Sequence, residues 1–122
     1  MGIKNVLAEL DEAPEGSFLR LLEFNEGGVG ACSITGTSPV WEMHPDTDEF
    51  FHVIEGALEF EMLLEEKSEH WRVEAGSVCV IPRGVWHRPA APTGARFLFM
   101  TPGQSLHSDA RDPRVAGAQS ES

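Results

Sequence analysis

Glycine and proline interrupt this chain so often that no apolar stretch has room to become a long helix. Twelve Gly and eight Pro are spread over 122 residues. Between them the apolar residues recur every second position rather than every 3.6. Residues 6–10, 18–24, 29–35, 50–54, 57–64, 70–73, 78–81 and 96–101 each read as a short strand. Residues 11–16, rich in acids, Pro and Gly, form a loop, Glu26-Gly27-Gly28 a turn, and residues 65–69 a charged turn. Glu55-Gly56 reads as the turn of a hairpin joining 50–54 to 57–64. A chain of this length supports one hydrophobic core, so one all-β domain is expected. After Pro102 the composition shifts to Ser, Ala, Asp, Arg and Gly. Residues 1–103, with an N-terminal strand, are therefore expected to fold, and residues 104–122 to form a mobile tail. There is no internal repeat and no second domain.

Two blocks carry the chemistry. The first, residues 36–56, reads GTSPVWEMHPDTDEFFHVIEG and contains Glu42, His44 and Glu49. The second, residues 76–87, reads GSVCVIPRGVWH and ends on His87. Glu42 and His44 are two apart in a strand-like stretch, so their side chains leave one face. Glu49 is an odd number of residues from His44, but Pro45 and the acids Asp46 and Asp48 make a turn that can restore the phase. Two imidazoles and two carboxylates suit a divalent first-row ion. The set predicts a metal site held by Glu42, His44, Glu49 and His87, with the ion one of Fe, Mn, Zn or Ni.

The blocks resemble the cupin family. Its first motif is G-x5-H-x-H-x3-4-E-x6-G, and this chain has G-x5-E-x-H-x4-E-x6-G from Gly36 to Gly56. Its second is G-x5-P-x-G-x2-H-x3-N, and this chain has G-x5-P-x-G-x2-H from Gly76 to His87. Glu42 stands where the first histidine is usual, and Ala91 where the asparagine is usual. The short stretch between the motifs is that of small single-domain members. The resemblance implies a single cupin jelly-roll barrel of two antiparallel sheets with the metal bound inside. It implies little about the reaction, because this fold hosts many chemistries.

Other residues are weighed against plainer roles. Alternation puts Phe51 and Val53 on the side of Glu49, and turns Phe50, His52 and Ile54 away. His52 is thus expected outside the donor set, and His70 and His107 have no ligand-like neighbours in the sequence. Asp46 and Asp48 are expected to cap the turn. Phe51, Val53, Phe60, Met62, Phe97, Phe99 and Trp86 are candidates for an apolar wall, with ordinary core packing as the alternative. Arg83 is a candidate for meeting an anionic group, with a solvated turn position as the plainer expectation. Glu42 is the donor on which the site turns. If it binds, a six-coordinate ion keeps two open positions; without it, His44, Glu49 and His87 form a two-histidine, one-carboxylate triad.

The formal net charge of −11, from 20 acids and 9 bases, makes nucleic acid and anionic membranes poor partners. No apolar run approaches a membrane span, and the N-terminus lacks a signal-peptide pattern, so a cytoplasmic protein is expected. Cys32 and Cys79 are expected as reduced thiols in apolar runs. The chain has no tyrosine, which closes mechanisms needing a phenolic base or ligand, including the cupin lyases that depend on one. The expected function is that of a metal-dependent enzyme on a small organic substrate, with a dioxygenase-type oxidoreductase first. The alternatives are an isomerase or epimerase of a sugar-like substrate and a non-catalytic small-ligand-binding module. By the resemblance, a homodimer is also expected.

Overall fold

Two fifteen-residue strands carry the architecture. In the computed structural model, which describes residues 2–115 and the backbone of 119–121, β4 (Glu49–Leu63) runs antiparallel to β7 (Trp86–Met100) along almost its whole length. The register extends from Phe50↔Met100 to Leu63↔Trp86. The remaining elements, in chain order, are α1 (Val6–Asp11), β1 (Leu19–Phe24), β2 (Gly27–Thr37), β3 (Trp41–Met43), β5 (Ser68–Glu74), β6 (Val78–Ile81), β8 (Ser105–Ser108) and β9 (Gln119–Glu121). Strands β1, β2, β7, β3, β8 and β9 lie side by side in that order, while β5 and β6 pair with the two ends of β4. All of these pairings are antiparallel. The molecule has the all-β jelly-roll fold expected from the motifs. Its two layers are joined as one hydrogen-bonded sheet, because β4 and β7 continue through the bend between them.

That bend corrects the expected hairpin. Gly56 does have positive φ (74°), as a turn glycine would, but the strand does not reverse. Instead the β4–β7 register slips between Val53 and Glu55 and again between Gly56 and Glu59, as β-bulges do. A Cβ on Gly56 would sit 2.1 Å from the Gly94 carbonyl oxygen. The two strands can therefore cross the corner together only because this residue has no side chain.

Two further expectations are corrected. Residues 6–10 form helix rather than strand. The Asn5 side chain accepts from the Ala8 amide at 3.0 Å as an N-cap, and Leu10 is buried at helical spacing from Val6 and Leu7. The supposed loose tail contributes β8, which pairs with β3 through Trp41↔Ser108, Glu42↔His107 and Met43↔Leu106. An otherwise open edge of β3 gains partners this way. The expectation for residues 116–118 and 122 lies outside the described residues.

The core fills the space between the layers. Phe51, Val53, Leu58, Phe60, Met62 and Phe97 are buried there, while Phe50, His52 and Ile54 are only partly buried, as alternation requires. Cys32 and Cys79 are both free thiols; burial pushes each up to about 11. Among the described residues no helix is long and apolar enough to cross a membrane.

Candidate metal centre

The fold brings opposite ends of one ribbon together. Glu49 opens β4, and His87 pairs with Met62 near the other end of that strand. Along a straight strand those positions would be roughly 43 Å apart at about 3.3 Å per residue. In the folded chain Glu49 Oε1 is 3.0 Å from His87 Nε2. His44, just beyond β3, closes the group: its Nε2 is 3.1 Å from Glu49 Oε1 and 3.2 Å from Glu42 Oε1. His87 Nε2 is 3.6 Å from Glu42 Oε1. Glu42 and His87 are direct cross-strand partners on β3 and β7, so their side chains share a face.

The donor atoms of Glu42, His44, Glu49 and His87 all lie within 4.8 Å of one another, a grouping that could hold a metal ion. Separations near 3 Å are what neighbouring donors have when each is ~2.1 Å from one ion. The ring orientations fit too. His87 Nδ1 donates to the Val85 carbonyl at 3.1 Å. His44 Nδ1 faces the Gln104 carbonyl at 3.4 Å and Ser105 Oγ at 3.0 Å. Both rings thus turn Nε2 toward the carboxylates, the arrangement usual for ligating histidines.

The electrostatics point the same way. His44, Glu49 and His87 are 4%, 4% and 1% exposed, whereas the Glu42 side chain keeps 30% exposure toward the cavity. Burial opposes charge on all four groups. It is outweighed by hydrogen bonds between the unlike charges, which hold His44 up at about 10 and His87 at about 9, and hold Glu42 and Glu49 well below the carboxylate range. In the metal-free chain, protons on the two imidazoles balance two adjacent carboxylates. A divalent cation would replace those protons charge for charge.

A cavity of about 1220 Å³ opens onto the cluster. Phe51, Phe60, Phe97 and Phe99 line it, joined by Phe18. Val53, Met62 and Trp86 do not line it and serve as core. None of the described lining residues is Lys or Arg, whereas Glu15 and Asp109 add two acids to Glu42 and Glu49. Arg83 stands apart: its amide donates to Asp48 Oδ1 at 3.0 Å and its side chain is exposed. Asp48 therefore bridges to the Pro82-Arg83-Gly84 turn of the second block, 35 residues on, where a cap of its own turn was expected.

Three residues missed by the sequence reading touch the donors. Thr101 Oγ1 donates to Glu49 Oε2, Ser105 meets His44, and His107 Nε2 donates to Glu42 Oε2 at 2.9 Å. A signal existed: Ser105-Leu106-His107 repeats the two-residue spacing of Glu42 and His44.

Residues 33–102 match the Cupin_2 (cupin domain) family profile. An uncharacterised Bacillus subtilis (strain 168) protein, YdbB, is 34% identical over 88 residues, spanning 70% of this chain and 74% of its own. The crystal structure of a cupin-2 domain protein from Shewanella frigidimarina superposes with a TM-score of 0.68 at 28% identity, over 82% of this chain and 94% of the other. Hydroquinone 1,2-dioxygenase from Sphingomonas sp. TTNP3, solved with 4-hydroxybenzoate bound, shares the fold at 18% identity and a TM-score of 0.68, over 78% of this chain and 70% of its own. The two motifs, the antiparallel barrel and these matches agree: the chain is a small single-domain cupin of the Cupin_2 family.

Proposed function

We propose that this cupin binds a divalent first-row ion through Glu42, His44, Glu49 and His87 and is a dioxygenase-type oxidoreductase acting on a small organic substrate. The observation that carries the reading is the convergence of four donor atoms at one wall of an aromatic-lined cavity, with no Lys or Arg among the described lining residues. An ion held there would polarise bound oxygen donors and leave positions open for substrate and dioxygen. Insertion of both oxygen atoms takes its electrons from the substrate, so no separate reductant is required. Phe51, Phe60, Phe97 and Phe99 provide flat apolar surface for an organic ring. Thr101 and His107 hold the outer oxygens of the two carboxylates.

The lining also constrains the substrate. Four acids against one divalent charge disfavour phosphates and organic anions, so the substrate is uncharged or cationic. The same acidity weighs against the sugar-phosphate isomerase alternative. An aromatic diol meets both requirements, being uncharged and flat, and a protein sharing this fold is named for action on one, hydroquinone. A homodimer belongs to the same proposal, since Val78 and Val80 of β6 are 59% and 46% exposed. Light scattering of wild type and Val80→Glu tests that part, with a monomeric variant expected.

Elemental analysis of untagged protein, paired with oxygen uptake on uncharged diols, tests the main reading. Stoichiometric iron or manganese, and uptake lost in His87→Ala, are expected. Absence of stoichiometric metal at neutral pH would move the chain to the ligand-binding-module alternative.

A further inference from the structure

One short stretch of chain, residues 101–107, reaches three of the four donors. Thr101 follows the last residue of β7 and donates to Glu49 Oε2. The chain then turns through Pro102-Gly103, where Gly103 has φ 112° and a Cβ would lie 3.2 Å from Thr47 Cγ2. This packs the turn against the loop between His44 and Glu49. It returns as β8, placing Ser105 Oγ 3.0 Å from His44 Nδ1 and His107 Nε2 2.9 Å from Glu42 Oε2. His87, the fourth donor, is oriented from its own neighbourhood by Val85.

The pairing has a particular consequence for the carboxylates. Each has Oε1 turned to the imidazoles, while Oε2 is engaged by this segment. Glu42 depends on it most, because its side chain is the most exposed of the four and an exposed glutamate has more rotamer freedom to lose on being ordered. His107 on β8 is the direct cross-strand partner of Glu42 on β3, so the contact is built into the strand register.

We propose that residues 101–107 form a clasp that assembles the metal centre, and that His107 is the positioning residue that keeps Glu42 in the donor set. This rests on the metal-site reading above. It makes the C-terminal strand part of the site, and it accounts for how a glutamate serves in the slot where a histidine is usual.

The test is Co2+ titrated into the chelator-stripped full chain, followed by its visible absorption and by competition with a chelating dye. His107→Ala should weaken binding roughly 10- to 100-fold, the range for lost outer hydrogen bonds to ligands, and its Co2+ spectrum should match that of Glu42→Ala. His107→Gln, which keeps a donor near the Nε2 position, should stay within about threefold of wild type. In a Glu42→Ala background, His107→Ala should add less than about threefold, because its partner is gone. A His107→Ala loss under threefold, or an equal loss in the Glu42→Ala background, overturns the proposal. Should His107→Ala fail to fold, the Gln variant and Ser105→Ala decide it: Ser105→Ala should weaken binding about tenfold by releasing the His44 ring, and unchanged binding counts against the clasp. A wild-type chain that binds no Co2+ instead removes the metal reading itself, and the clasp with it.

Discussion

The corner at Gly56 and the donor cluster occupy the middle and the ends of the same β4–β7 ribbon. At the corner the strands meet backbone to backbone, with a Gly94 carbonyl where a Gly56 side chain would be. At the cluster they meet only through side chains, carboxylate to imidazole. The corner decides whether the ends can meet; the cluster decides what they bind once they have. Damage at the first should therefore cost the fold, and damage at the second should cost binding while the fold survives.

Breaking the corner gives the largest expected effect. Gly56→Ala introduces both a positive-φ alanine and a clash with backbone, and should cost about 4 kcal/mol or more in urea unfolding. Gly36→Ala is the control: its φ is 90°, but a Cβ there meets nothing within 4 Å, so only about 1–2 kcal/mol is expected. Equal costs for the two would show that close approach does not shape the corner.

Breaking the cluster comes next. Glu49→Ala removes the carboxylate that contacts both imidazoles. Metal affinity should drop by more than about a hundredfold, while far-UV circular dichroism remains that of wild type. Loss of the β spectrum would mean that fold and site cannot be separated.

A third expectation concerns pH, and its two halves run in opposite directions. His44 and His87 have folded pKa values of about 10 and 9, above the ordinary value of ~6.5. In the metal-free chain their stabilisation is complete below about pH 6.5 and is lost as pH rises through 9–10. Glu42 and Glu49 are depressed, so their contribution is present above about pH 4.5 and is lost on acidification. The metal-free melting temperature should peak between about pH 4.5 and 6.5. Metal must displace the imidazole protons, so the rise in melting temperature on adding Mn2+ should instead grow from pH 6 toward 9. A metal-induced rise that is flat across this window would place the ion elsewhere.

The smallest effect is expected beside the donors but on the opposite face of β7, where Arg88 follows His87 in the chain. Arg88 lies 4.3 Å over the Trp41 ring and 2.7 Å from Glu61. Arg88→Met should cost about 1 kcal/mol in thermal unfolding and leave metal affinity unchanged. A change in affinity would show that the outer face of β7 communicates with the donors.

Much of this was readable along the chain because the signals are local. Period-two apolar runs marked the long strands, and motif spacing marked all four clustered residues, including the unusual Glu42. Where the reading failed, one local signal served two structures. A positive-φ glycine serves a hairpin turn and a two-strand bulge equally well, so Gly56 was misread. The apolar run 6–10 is short enough for strand or helix, and the Asn5 cap decided it. Ser105 and His107 lay in a segment whose composition resembled a loose tail, and only the open edge of β3 gave that segment a partner.

By itself, then, the sequence determined the strand periodicity, the cupin membership and the identity of the four donor candidates, since each is written in spacing between neighbours. Tertiary structure alone decided that β4 and β7 bend rather than turn back, that Glu49 and His87 meet from opposite ends of a ribbon, and that residues 101–107 grip the donors. Those are contacts between residues up to 65 positions apart, set by strand register and backbone approach, quantities that no local spacing encodes.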